Sequence, residues 1–158
     1  MTHEEFAVRI VGMQGTLYRV ACSILKQPCD REDAVQSCIE RAWRNQQKLR
    51  DESRLEAWVT RILINECYGI LRAHKRETPV ETLPENPAPA GCDIDLYRFF
   101  SSLPDKLRVP MVLYYLEGYD VRTIASMLRL PEGTVKARLK RGRDKMKQDD
   151  ALKEVQGL

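Results

Sequence analysis

The sequence predicts an all-α protein: two small helical domains joined by a flexible linker. Three observations carry this. No stretch alternates apolar and polar residues with period two, so strands are not expected. Apolar residues recur instead at three- and four-residue spacing on both sides of the chain's middle. Between those halves, residues 77–92 read ETPVETLPENPAPAGC, and four prolines, a glycine and three glutamates exclude both helix and packed core. A chain of 158 residues suffices for one ordinary domain or two small ones.

The N-terminal domain, residues 1–76, is expected to hold three helices. Thr2 with Glu5 makes a capping box, followed by Phe6, Ile10, Met13, Leu17 and Val20 at helical spacing until Pro28. Asp30 is the expected N-cap of a second helix, with Glu32 and Asp33 in its first turn, running to about Gln46. Ser53 is the expected cap of a long third helix reaching Arg76. Beyond the linker, residues 93–148 read as four shorter helices. They span about 93–102, 104 to the C-cap Gly118, 120–128, and 132–147, with a tail from 149 to 158.

Charge divides the chain in the same way. Residues 1–76 carry 13 basic and 10 acidic side chains, residues 77–96 carry five acids and no Lys or Arg, and residues 97–148 carry 12 basic against five acidic. Two basic blocks flank an acidic connector. The connector and its flanks, roughly 20 residues, reach about 65 Å when extended, so the domains need not touch.

Composition also excludes classes. No apolar run approaches the roughly 20 residues of a membrane span. The start, MTHEEFAVRI, has acids where a signal peptide carries basic residues, so a cytoplasmic protein is expected. Cysteines at 22, 29, 38, 67 and 92 form no C-x-x-C pair, which argues against a disulfide framework and a structural zinc site. Two histidines, no Gly-rich phosphate loop and no nucleophile beside a base leave no catalytic residues, metal or cofactor to expect.

The segment DVRTIASMLRLPEGTVKARLKRGRDKMK carries the clearest motif. Asp120 caps a short helix, Arg129-Leu130-Pro131 turns the chain, and a longer basic helix follows: a helix-turn-helix. In the last helix Val135, Leu139, Gly142 and Met146 form the inward stripe. Lys136, Lys140, Arg143 and Lys147 line one flank, and Thr134, Arg138, Arg141 and Lys145 the other. Gly133 and Ala137 lie at the outer tip. Small residues at the tip and cations on both shoulders suit a helix entering the DNA major groove. A merely solvated face would mix charge signs more evenly.

The long helix over 53–76 has a core face expected from Leu55, Val59, Ile62 and Ile70. A second stripe holds Arg54, Arg61, Asn65, Tyr68, Arg72 and Lys75, with Trp58 at its border. Cations for the backbone, rings for stacking and an amide for a base edge fit separated DNA strands. Taken alone, the same Trp and Tyr fit rim packing equally well.

These residues resemble the sigma-70 family of RNA polymerase sigma factors, in its small extracytoplasmic-function (ECF) group. LEAWVTRILINECYGILR is similar to the family's promoter-melting helix, and DREDAVQSCIERAWR to the preceding helix, which docks on the clamp of the largest polymerase subunit. SLPDKLRVPMVLYYLEGYDVRTIASMLRLPEGTVKARLKRGRDKM resembles its C-terminal domain. The resemblance implies a factor that binds core polymerase and promoter DNA and has no small-molecule substrate. Glu32, Asp33, Gln36, Glu40, Arg41 and Arg44 would dock on the clamp. Arg54, Trp58, Arg61, Asn65, Tyr68, Arg72, Lys75 and Arg76 would serve −10 recognition and strand opening. Thr134, Lys136, Ala137, Arg138, Lys140 and Arg141 would read the −35 element, and Val109 to Glu117 would meet the flap of the second-largest subunit. The acidic linker would mimic RNA in the polymerase cleft, and an anti-sigma protein is a possible partner. Gly69 stands where the family usually carries an acid, Arg129 where it has a small turn residue, and Ile39 where an aromatic is common. A free-standing helix-turn-helix regulator is the alternative, although the linker offers neither a dimer surface nor an effector pocket.

Overall fold

A computed structural model describes the backbone of residues 1–76 and 94–156, and the side chains of 1–76 and 96–149. The chain divides into two compact units, Met1–Pro89 and Ala90–Leu158. The described residues are helical or irregular, without a strand. The linker expected at 77–92 lies outside them.

The first unit contains α1 (His3–Gly12), α2 (Gln14–Ile24), α3 (Pro28–Arg44) and α4 (Leu55–Arg76). The capping box at Thr2 and Glu5 is present, with both reciprocal hydrogen bonds formed. The single first helix expected from the apolar spacing is instead two. The N–H of Met13 donates to the Ile10 carbonyl (3.0 Å), three residues back, and Leu17 then restarts the ladder by donating to Met13 (2.9 Å). Gly12 and Gly15 flank this joint, and each weakens a helix interior by about 1 kcal/mol relative to Ala.

Two starts also move. α3 begins at Pro28, whose missing N–H costs nothing in a first helical turn, with Gln27 as N-cap; Asp30 lies inside the helix. Asp51, not Ser53, forms the turn before α4, accepting from the Ser53 N–H (3.0 Å) and hydroxyl (2.6 Å). α3 ends at Arg44, two residues earlier than expected.

Ala34, Cys38 and Ala42, one per turn of α3, are fully buried, and these small side chains let α3 lie close along α4. α4 answers with Leu55, Val59, Thr60, Leu63, Ile64 and Cys67. Ile62 and Ile70, expected in the core, are only half-buried. The core arc of α4 is thus rotated away from them, because the arc must face α2 and α3 together. The Arg31 guanidinium is buried and donates through Nε to the Leu25 carbonyl (2.9 Å), tying the end of α2 to α3.

The second unit contains α5 (Ile94–Ser102), α6 (Asp105–Met111), α7 (Val121–Leu128) and α8 (Glu132–Gln156). The helix expected from 104 to 118 is interrupted. Pro110 inside α6 has no N–H to donate, and a π-helical turn, Val112–Leu116, follows, with the Glu117 N–H donating to the Val112 carbonyl (3.1 Å). Gly118, at φ +76°, ends the segment as expected. α8 runs nine residues past its expected end, through QDDALKEVQ, a stretch free of Gly and Pro.

Candidate nucleic-acid interface

Local hydrogen bonds mark each boundary of the helix-turn-helix. The Asp120 carboxylate accepts from the Thr123 N–H (2.7 Å) and starts α7. Arg129 ends it in the left-handed region at φ 55°, and the Leu130 N–H donates back to the Ala125 carbonyl (3.0 Å). A non-glycine residue there costs about 1 kcal/mol, so the turn is held by its surroundings. The Pro131 carbonyl then accepts from Thr134 (3.0 Å) and Val135 (3.2 Å), which opens α8.

α8 is oriented by burial. Val135 and Leu139 are 0% and 2% exposed. Each contributes roughly 1.5–3 kcal/mol, well above the roughly 0–1 kcal/mol of an exposed ion pair. At Gly142 the helix comes so close to α6 that a Cβ would stand 2.6 Å from the Met111 sulfur. The inward stripe therefore holds Val135, Leu139 and Gly142, with Met146 half-buried at its end.

That seating turns the expected DNA-reading residues outward. Lys136, Ala137, Lys140 and Arg141 are exposed, and Thr134 and Arg138 half-buried. The two shoulders differ. On one, Arg143 donates to the Tyr115 hydroxyl (3.4 Å). On the other, Thr134, Arg138 and Arg141, with Gly133 and Ala137, line a groove of about 410 Å³ whose remaining wall is Lys106 and Leu107 of α6. The sequence assigns Lys106 no role, because only the packing of α6 on α8 brings it there. Among the described residues none of Lys106, Lys136, Arg138, Lys140 and Arg141 enters an ion pair.

In the first unit the α4 stripe is likewise exposed. Arg61, Asn65 and Arg72 fall within about 40° of one another around the helix and about 180° from buried Leu63, at 100° per residue. Tyr68 and Trp58 are half-buried beside them, and Lys75 and Arg76 are exposed at the C-terminal end. Arg54 lies outside α4, in the short 3₁₀ turn before it, 3.8 Å from the Asp51 carboxylate. A Cβ at Gly69 would lie 3.8 Å from the Arg72 guanidinium, so no acid competes for Arg72 from that position.

On α3, Glu32, Asp33, Gln36, Glu40 and Arg44 are exposed on the side away from Ala34, Cys38 and Ala42. Arg41 is exposed with them. Its guanidinium is paired with Glu66 on α4. At the other end of the same helix pair, His74 Nε2 stands 2.9 Å from the Asp30 carboxylate. Sequence reading missed both contacts, since neither pair is close in the chain.

The cysteines are distributed by burial. Cys38 and Cys67 are enclosed, and loss of hydration pushes each thiol from its ordinary 9.0 up to about 12, with Glu66 adding to the rise. Cys29 is exposed and Cys22 half-buried. Among the described residues no three His, Cys, Asp or Glu side chains are grouped to hold a metal ion, and no helix is long and apolar enough to cross a membrane.

Comparison with known proteins follows the same division. Residues 10–77 match sigma-70 region 2, and residues 94–146 match sigma-70 region 4. The chain is 30% identical over 135 residues to the ECF RNA polymerase sigma factor SigM of Mycobacterium tuberculosis, covering 82% of this chain and 69% of that protein. It is 27% identical over 151 residues to the RNA polymerase sigma-E factor of Streptomyces coelicolor, covering 92% and 85%. Its fold resembles that of the sigma factor RpoE of Bartonella quintana, solved in complex with the anti-sigma factor NepR (TM-score 0.79, 26% identity, 92% and 96% of the two chains). With two helical units matched in order by regions 2 and 4 and a relative aligned over most of both chains, this protein belongs to the sigma-70 family of RNA polymerase sigma factors, in its ECF group.

Proposed function

We propose that this chain binds core RNA polymerase and directs promoter-specific initiation. Its N-terminal domain, residues 1–76, opens the −10 element, and its C-terminal domain, residues 93–148, binds the −35 element. The observation that carries this is one chain with two separate helical units, each showing an outward cationic face. A polyanionic duplex is the partner that two such faces favour, and it binds by displacing counterions.

The roles divide by surface. Arg61, Arg72, Lys75 and Arg76 hold the backbone of the separating strands, with Arg54 at the approach. Asn65 reads a base edge, and Tyr68 and Trp58 stack on displaced bases. Thr134, Lys136, Ala137, Arg138, Lys140 and Arg141 present α8 to the major groove. Glu32, Asp33, Gln36, Glu40, Arg41 and Arg44 dock on the clamp of the largest subunit. Arg41, held by Glu66, keeps the docking helix in register with the melting helix. The exposed Tyr114, Tyr115 and Leu116 of the π-turn meet the flap of the second-largest subunit. The factor has no catalytic residues of its own and works in the cytoplasm. An anti-sigma protein is a partner of the solved relative, and we assign the same kind of partner here.

The test is run-off transcription by bacterial core polymerase over a genomic fragment library, with and without the purified chain. Discrete new transcripts whose start sites share two upstream elements are expected. Duplex binding by the chain alone, with no co-purification with core enzyme and no new transcripts, would instead indicate a free-standing regulator.

A further inference from the structure

The groove beside α8 has a wall that α8 does not supply. Lys106 stands in the first turn of α6, exposed and outside any ion pair among the described residues. The acid next to it, Asp105, is paired with Arg108, so it does not neutralise Lys106. Across the groove stand Arg138 and Arg141, and Leu107, Gly133, Thr134 and Ala137 form the rest of the lining. Glu132, the acid in the first turn of α8, is not part of that lining.

The chemistry selects the occupant. Three cations in one open groove call for a ligand with repeated negative charge. The apolar part of the lining, Leu107, Gly133 and Ala137, accepts a sugar but offers few hydrogen bonds to orient a small polar molecule. A sugar–phosphate strand meets both conditions. Moreover, the tip of α8, occupied by Gly133 and Ala137, has to approach base edges for the −35 reading to hold, which brings one strand of the duplex alongside this groove.

We propose that Lys106 is a phosphate-binding residue of the −35 contact, closing on one DNA strand from the α6 side while Arg138 and Arg141 face it from α8. This rests on the promoter-binding reading above. It adds a contact from outside the helix-turn-helix, one that sets the register of the duplex and carries no base preference.

The test uses the full chain bound to bacterial core polymerase. A duplex pool with a randomised centre is selected for binding, and the enriched duplex is measured by anisotropy from 50 to 200 mM salt. Lys106→Ala is expected to weaken binding to the enriched duplex and to its single-base variants alike. The slope of log K against log salt should fall by about 0.9, so the gap between wild type and variant narrows about 3-fold across that range. Lys106→Arg should restore the slope. Lys26→Ala, at an exposed lysine of the other unit, reports any general effect of lost charge.

An unchanged slope with a sequence still enriched overturns the Lys106 contact and leaves the −35 reading intact. A changed preference at one base position also overturns it, in favour of base reading. Failure of the wild-type holoenzyme to enrich any sequence removes the promoter-binding reading and the Lys106 contact together. Unfolding midpoints of both variants, expected to match wild type because Lys106 is exposed, separate binding loss from misfolding.

Discussion

Arg138 is half-buried at the groove-facing shoulder of α8, one turn after Thr134 and one before Arg141, and its guanidinium can address a guanine edge with two hydrogen bonds. Arg138→Ala is expected to lower −35-dependent transcription by about 1–3 kcal/mol of binding, concentrated at one base position. Equal losses on all sequences would assign it to phosphate instead. The thiols make a second residue-scale case. Cys38 and Cys67, pushed up to about 12, stay protonated at neutral pH and should resist iodoacetamide, while exposed Cys29 reacts. Below the ordinary thiol value of 9.0 both folded and unfolded thiols are protonated. Above it the unfolded thiols ionise first, so stability falls as pH rises from 9.0 toward about 12. Chemical denaturation at stepped pH measures this, and replacing both cysteines by Ala should flatten the decline.

At the scale of elements, α3 and α4 behave as one device. The Ala34–Cys38–Ala42 stripe brings them close, and the Arg41–Glu66 and Asp30–His74 contacts hold their two ends. The proposed docking face and the proposed strand-opening stripe thus sit on a single helix pair. Asn65 lies at the centre of that stripe, between Arg61 and Arg72, with its amide exposed. Asn65→Ala should slow strand opening more than initial promoter binding. Permanganate reactivity of thymines in the −10 region is expected to drop while footprints of the closed complex persist; normal reactivity would remove the base-reading role. The helix pattern was legible because 3.6-residue spacing is local. The joint at Met13, the π-turn after Pro110 and the rotated core face of α4 were not, since each depends on which neighbour the helix meets.

At the scale of the whole molecule, two basic blocks, residues 1–76 and 97–148, flank the acidic residues 77–96. That segment would repel duplex DNA, and the sigma-factor resemblance implies that it mimics RNA in the polymerase cleft. Replacing Glu77, Glu81 and Glu85 with Gln should change the ratio of abortive to full-length transcripts while leaving promoter recognition intact. Unchanged product ratios would discard the RNA-mimic role.

The sequence alone determined the helical class, the break between two units, the helix-turn-helix and most of its outward cations, because periodicity, proline and charge are properties of neighbouring residues. Only the tertiary structure decided that Arg41 answers Glu66, that Gly142 lets α8 settle against Met111, and that Lys106 joins the groove beside α8. Those are contacts between residues distant in the chain, created when buried apolar surface draws helices together, and no local pattern encodes which side chains then meet.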